Sequence, residues 1–248
     1  MNKTVLIRFY EELNDFLPSG KTKVAFPQIL HTGQTVKDIA ESNGVPHTAI
    51  DLVLVNGDSV DFDFQPNNGD YISVYPVFES FDISGVTHLR PGPLRVTKFV
   101  ADVHLGRLAR ILRMLGFDTL YENDYSDEMI VQLSTSGKRI ILTHDLGILK
   151  TGKVTHGYWV RSQIPDKQAE EVISYFHLQK KINPLTRCLD CNENIKKVEK
   201  QGIISELEPN TKKYFKEFYQ CSGCGKVYWK GSHYSKMIKK IKTLTEIR

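Results

Sequence analysis

Three aspartates and four cysteines in this 248-residue chain have types and spacings suited to chemistry. Asp102 follows the apolar run KFVA, Asp124 follows DTLYE, and Asp145 follows RIILT. Carboxylates carried past the ends of neighbouring strands repel one another unless a hard cation such as Mg²⁺ or Mn²⁺ bridges them. Two such ions about 4 Å apart can activate water and stabilise the leaving oxygen of a phosphodiester. Asp127 and Glu128 either join that cluster or simply favour a helix N-terminus. A single aspartate after a strand is most often a helix cap or turn former; three in successive loops are harder to explain that way. Cys188-x2-Cys191 and Cys221-x2-Cys224 use every cysteine in the chain. Two such pairs fit a closed, structural tetrahedral zinc site, with an iron–sulfur cluster or free thiols as the rival readings.

The elements that must hold these groups alternate in type. Strand VTKFVA leads to Asp102, and a helix is expected from about Val103 to Leu115. Leu105, Leu108, Ile111, Leu112 and Leu115 share one face of it at helical spacing. Arg107, Arg110 and Arg113 form a second stripe, and Gly116 stops the helix. Strand FDTLYE follows, then a helix opening at Ser126 and ending near Gly137, then strand RIILT. VTHGYWV is a fourth strand and PDKQAEEVISYFHLQK a closing helix, with Pro165 near its start. Such alternation implies a parallel sheet with right-handed crossovers, whose sites lie outside the carboxyl ends of the strands.

Residues 1–80 follow a different plan. KTVLIRFY (3–10) and KTKVAF (21–26) are strand-like, TVKDIAESNG is a short helix capped by Thr35 and stopped by Gly44, and DLVLVNGDSV and DYISVYPVF are strands. The order β-β-α-β-β predicts a β-grasp, or ubiquitin-like, domain. Residues 81–95 contain Pro91, Gly92 and Pro93 and are expected to be a linker. A parallel α/β domain then spans 96–180, and a zinc ribbon with a basic tail spans 181–248.

Charge separates the parts. Residues 1–95 hold 7 Lys/Arg against 12 Asp/Glu, whereas 181–248 hold 15 against 7. A basic tail suits a polyanion. Tyr228, Trp229, Lys230, His233, Tyr234, Lys236, Lys239 and Lys240 mix cations with aromatic rings, a combination that neutralises phosphates and stacks bases of single-stranded nucleic acid. Packed aromatics with solvated lysines are the plainer reading. No run approaches the roughly 20 apolar residues of a membrane span. The N-terminal stretch lacks a signal-peptide core, so a cytosolic location is expected, where cysteines stay reduced.

Other acidic α/β sites fit less well. A haloacid-dehalogenase-type phosphatase needs D-x-D where this chain has Asp102-Val103-His104, and a receiver domain needs adjacent acids before its aspartate. No Gly-rich phosphate loop opens a helix.

Two resemblances sharpen these expectations. LVLVNGDSV and NNGDYISVYPVF resemble the ends of ubiquitin-like sulfur carriers of thiamine and molybdopterin synthesis. Those carriers use a free C-terminal Gly-Gly, whereas this chain continues with ESFDISGV, so a binding or packing role is expected instead. ADVHLGRLARILRMLGFDT, RIILTHD, RCLDCN and CGKVYWKGSHY together resemble the Mut-seven C-terminal RNase family, a PIN-like domain carrying a zinc ribbon and often fused to a ubiquitin-like domain. The resemblance implies a metal-dependent RNase. Asp102 matches its first-strand acid, Asp145 the acid of its L-T-R-D segment, and Asp127 the acid opening the intervening helix, with Asp124 as the alternate. His144 stands where the family usually has Arg, and lacks its fixed charge.

The resulting expectation is a ribonuclease in which Asp102, Asp145 and Asp127 or Asp124 hold Mg²⁺ or Mn²⁺. Arg107, Arg110, His144, Trp229 and Lys230 contact the RNA, and Cys188, Cys191, Cys221 and Cys224 hold zinc. The competing expectation is a non-catalytic RNA-binding adaptor whose β-grasp domain recruits a protein partner.

Overall fold

The computed structural model describes residues 3–77, 86–89 and 97–246. Apart from 86–89, the expected linker lies outside the described residues. Contacts divide the chain into two compact units, Met1–Val96 with Asp127–Trp159, and Thr97–Ser126 with Val160–Arg248.

The front of the chain forms β1 (Thr4–Phe9), β2 (Phe26–Ile29), α1 (Val36–Ser42), β3 (Ile50–Val55), a two-residue β4 (Asp58–Ser59) and β5 (Tyr71–Pro76). Their sheet order is β2-β1-β5-β3-β4, with β1 parallel to β5 and the other neighbours antiparallel. This is the expected β-grasp order. The second strand starts later than KTKVAF predicts, because Ser19–Lys21 makes a 3-10 turn and Lys23 adopts a left-handed φ of 59°. Thr35 caps α1 in a capping box with Asp38, two orphan helix donors satisfied reciprocally. Val36, Ile39 and Ala40 thereby face a core that includes Val5, Ile7, Phe9, Ile50, Val53 and Val74.

The middle of the chain forms β6 (Lys98–Ala101), α2 (Gly106–Met114), β7 (Asp118–Leu120), α3 (Asp127–Gly137), β8 (Ile140–Thr143), α4 (Leu146–Leu149), β9 (Gly157–Trp159) and α5 (Pro165–Tyr175). β6 runs parallel to β7 in one unit, and β8 parallel to β9 in the other. All four residues of β8 are buried, as a parallel strand covered on both faces requires. The predicted helix from Val103 is split: Val103–Leu105 is a 3-10 turn, and the α-helix starts at Gly106. Its predicted apolar face is buried throughout. Gly116 ends it with φ 95°, and a Cβ there would lie 2.0 Å from the Asn183 carbonyl oxygen. Any side chain would therefore displace backbone.

The predicted arginine stripe is only partly a stripe. Arg107 and Arg110 are exposed, but Arg113 is 4% exposed. It donates to the backbone oxygens of Thr119 (2.9 Å), Asp190 (2.6 Å), Leu189 (3.2 Å) and Tyr121 (3.4 Å). Burial lowers its pKa, opposed by the nearby charges of Glu122, Cys188 and Cys191. A three-residue spacing cannot separate a solvated arginine from a buried one, because the distinction depends on what packs over the helix. Arg113→Leu is expected to destabilise the fold by about 3 kcal/mol, since it leaves buried carbonyls unpaired. Urea unfolding measures this, and an unchanged midpoint would refute the role.

The last part forms β10 (Ile195–Val198), α6 (Lys200–Ile203), α7 (Pro209–Tyr214), β11 (Phe218–Cys221), β12 (Val227–Trp229) and α8 (Ser232–Thr245). β10, β11 and β12 make a three-stranded antiparallel sheet, the body of a ribbon. The spacing between the cysteine pairs leaves room for a hairpin or two; the structure places β10 and most of β11 there, paired antiparallel, with two short helices and a 3-10 turn in the connection. Ile203, Leu207 and Phe218 form a small separate core beneath them. So small a core supplies little stability, and a metal staple is the usual remedy.

Candidate functional site

Each expected acid occupies a distinct setting. Asp102 directly follows β6 and is 5% exposed. It sits at the N-cap position of the 3-10 turn, yet its side chain makes no cap hydrogen bond. Tyr121 braces the loop beyond it, donating its hydroxyl to the Val103 carbonyl at 3.1 Å. Asp145 comes two residues after β8 and is exposed. Its Oδ1 accepts the Gly147 N–H at 2.6 Å, and its own N–H donates to Thr143 Oγ1 at 2.8 Å. Asp145 is therefore a genuine cap of α4, a helix too short to show in the sequence pattern. Asp127 is the first residue of α3 and is exposed. β7 ends at Leu120 rather than continuing through Glu122, so exposed Asp124 lies in a turn away from the strand end.

The cysteines converge. One ligand atom from each lies within 4.8 Å of the others. Cys188 Sγ is 3.6 Å from Cys224 Sγ, and Cys191 Sγ is 3.2 Å from Cys221 Sγ. Tetrahedral zinc with bonds of about 2.3 Å implies sulfur–sulfur edges of about 3.8 Å, so the thiols are close to that geometry. Burial opposes ionisation of Cys188, but the backbone N–H of Cys191 and the Tyr228 hydroxyl bring its thiol down to about 6. Burial instead pushes Cys221 up to about 12. Four thiolates at this separation need a cation, and the soft donor set suits zinc.

Both knuckles are built alike. The residue after each second cysteine has left-handed φ, 71° at Asn192 and 74° at Gly225. Cys188 N–H donates to Glu193 O at 2.7 Å, and Cys221 N–H to Lys226 O at 3.0 Å. Tyr228 Oη lies 3.1 Å from Cys188 Sγ and accepts the Leu189 N–H at 3.2 Å, so it orients a ligand sulfur. Asn192 also fastens the ribbon to β7, accepting from Thr119 N–H (2.9 Å) and donating to Asp118 (2.7 Å). Its place after a cysteine pair, matched by Gly225, is the only sequence signal for that role.

The expected RNA contacts divide. Arg107, Arg110 and Trp229 line one groove. Lys230 donates to Glu217 Oε2 at 2.7 Å, and Glu217 also pairs with Lys197. His144 is half-buried beside Asp145, and its carbonyl accepts the Trp159 indole N–H at 3.2 Å.

That indole contact reaches the ubiquitin-like fold. Trp159 packs on Phe16 with ring centroids 5.3 Å apart. In the same unit, buried His47 bridges Glu41 Oε1 (2.6 Å) and the Val154 carbonyl (2.7 Å), while Lys150 Nζ donates to the Glu41 carbonyl (3.1 Å). The front domain thus packs against the segment carrying Asp145. Trp159→Phe keeps a ring against Phe16 but removes the donor to His144. Amide exchange over residues 144–147 is expected to quicken about fivefold, the worth of one net hydrogen bond. Unchanged protection would refute the link.

A β-grasp fold, parallel α/β elements and a four-cysteine ribbon define a modular mixed α/β protein. Residues 97–241 match the family model of the Mut7-C RNAse domain, and residues 2–82 match that of the Mut7-C ubiquitin domain. The first match spans more than half of the chain, which therefore belongs to the Mut7-C RNAse family. No match was found among curated proteins or among solved structures. No helix of the described residues is long and apolar enough to cross a membrane.

Proposed function

We propose that this protein is a metal-dependent ribonuclease that hydrolyses RNA phosphodiester bonds. The observation that carries this reading is Asp102, a buried carboxylate at the carboxyl end of a parallel strand that does not cap the helix after it. Sites in parallel α/β sheets form at that edge, and the hard oxygen donors of a carboxylate suit Mg²⁺ or Mn²⁺. Asp102 and Asp145 hold the ion, with Asp127 as the next acid and Asp124 as the alternate. When bound there, the ion neutralises phosphate charge and makes water a better nucleophile. Asp145 is kept in place by its bond from Gly147 N–H, which leaves Oδ2 as the donor side. Arg107 and Arg110 hold the RNA backbone, with His144 and Lys230 as further contacts and Trp229 stacking a base. Zinc on the four cysteines is structural.

The adaptor reading draws on Asp145, whose capping bond gives it a purely structural reason to exist. There the ribbon grips RNA and the β-grasp domain recruits a partner protein in the cytosol. Incubating labelled single-stranded RNA with the zinc-loaded chain, with and without Mn²⁺, separates the two. Cleavage that appears only with Mn²⁺ supports the nuclease, while binding without cleavage replaces it by the adaptor.

A further inference from the structure

A groove of about 910 Å³ runs through the unit that carries the ribbon. It joins four stretches remote in sequence: the outer face of α2, the start of α5, the cysteine knuckles with β12, and the first three turns of α8. Its rim carries five cations, Arg107, Arg110, Lys226, Lys236 and Lys240, against one carboxylate, Asp166. The floor is apolar, with Ile111, Met114, Val227 and Met237, and Ile164 stands 62% exposed at its edge. Trp229, 38% exposed, rests on Phe215 with centroids 6.4 Å apart. Gly231 makes room for its indole: a Cβ there would come within 3.0 Å of Nε1.

A cationic rim over an apolar, aromatic floor is mismatched to a folded acidic protein or a duplex, because both hide their flat apolar groups. An unpaired nucleic acid strand presents phosphates to the rim and base faces to the floor together. We propose that this groove is the seat of single-stranded RNA, with a base stacked on Trp229 and phosphates held by Arg107, Arg110 and Lys236. This deepens the ribonuclease reading and rests on it for the choice of RNA as ligand.

One acid already imitates a phosphate here. Asp190, between the cysteines of the first knuckle, pairs with Arg110 at 3.3 Å and also with Lys226. Lys240 is paired with Asp166, whereas Arg107 and Lys236 have no ion-pair partner among the described residues. RNA therefore meets Arg107 and Lys236 first and competes with Asp190 for Arg110 and Lys226. Such exposed pairs are weak, so the competition favours a polyanion at low salt.

The test is fluorescence anisotropy with labelled oligouridylate and a duplex RNA of equal length. It uses the full zinc-loaded chain carrying Asp102→Asn, which keeps the RNA intact. Trp229→Ala is expected to weaken single-strand binding about tenfold, while Trp229→Phe stays near the parent. Lys236→Gln is expected to lower the salt slope by about one. Asp190→Asn is expected to tighten binding about threefold at low salt, a gain that a misfolded variant would not show. Parent-like binding by both Trp229→Ala and Lys236→Gln, or equal affinity for duplex and single strand, would overturn the proposal. If Trp229→Ala loses zinc, Lys236→Gln and Asp190→Asn decide. RNA binding of this pattern without Mn²⁺-dependent cleavage by the unmutated chain would retire the nuclease and leave the groove standing.

Discussion

Asp102→Asn is expected to lower Mn²⁺-dependent RNA cleavage at least about a hundredfold. Even partners one shell removed from a metal are worth 10- to 100-fold, and Asp102 is placed as a direct ligand. The substitution is nearly isosteric at a buried position, so the melting temperature is expected to stay near that of the parent. That combination, activity lost while stability holds, distinguishes a ligand from a structural cap. Asp145→Asn provides the comparison: an amide oxygen still accepts the Gly147 N–H, so the α4 cap survives while the charge goes. Cleavage is expected to fall similarly. Asp127→Asn should cost less, and Asp124→Asn, in an exposed turn, least of all. Single-turnover cleavage of labelled RNA with circular-dichroism melts measures all four; full activity in Asp102→Asn would end the nuclease assignment.

Loss of zinc is the second large effect. Structural zinc contributes roughly 10–16 kcal/mol of binding free energy in isolated finger peptides, far more than the ribbon core of Ile203, Leu207 and Phe218 can replace. Cys221→Ser, or chelation, is expected to take zinc from about one per chain to none and to unfold the segment from Cys188 onward. The consequence should reach β7, because Asn192 holds the Thr119 N–H and the carbonyls of Leu189 and Asp190 hold Arg113. Faster amide exchange at Thr119 would report that spread. RNA binding should fail with it, since β12 and α8 form one wall of the groove. Elemental analysis with hydrogen exchange checks the prediction, and a folded ribbon in the zinc-free variant would refute it.

These two predictions start from residues that sequence alone singled out. Strand-end acids, paired cysteines, the capped α1 and the apolar face of α2 are local patterns: each depends on a spacing of two to seven residues that backbone geometry imposes. Both family matches follow the motifs that carry the resemblance. Other features had no local signature. Arg113 is spaced like Arg107 and Arg110 but is buried, because the first knuckle happens to cover it. Asp145 caps a four-residue helix, a length below what periodicity can register.

The same limit explains the groove and the Phe16–Trp159 packing. Ile111, Trp229 and Lys236 share a surface only because α2, β12 and α8 meet in three dimensions, and Phe16 meets Trp159 across more than half of the chain. The position of Asp102 at the end of its strand and the pairing of the cysteines were thus written in residue types and short spacings. Which arginine is solvated, which acid also serves as a cap, and which cations line one groove depended on tertiary packing, where burial and partner geometry are set by segments far apart in sequence.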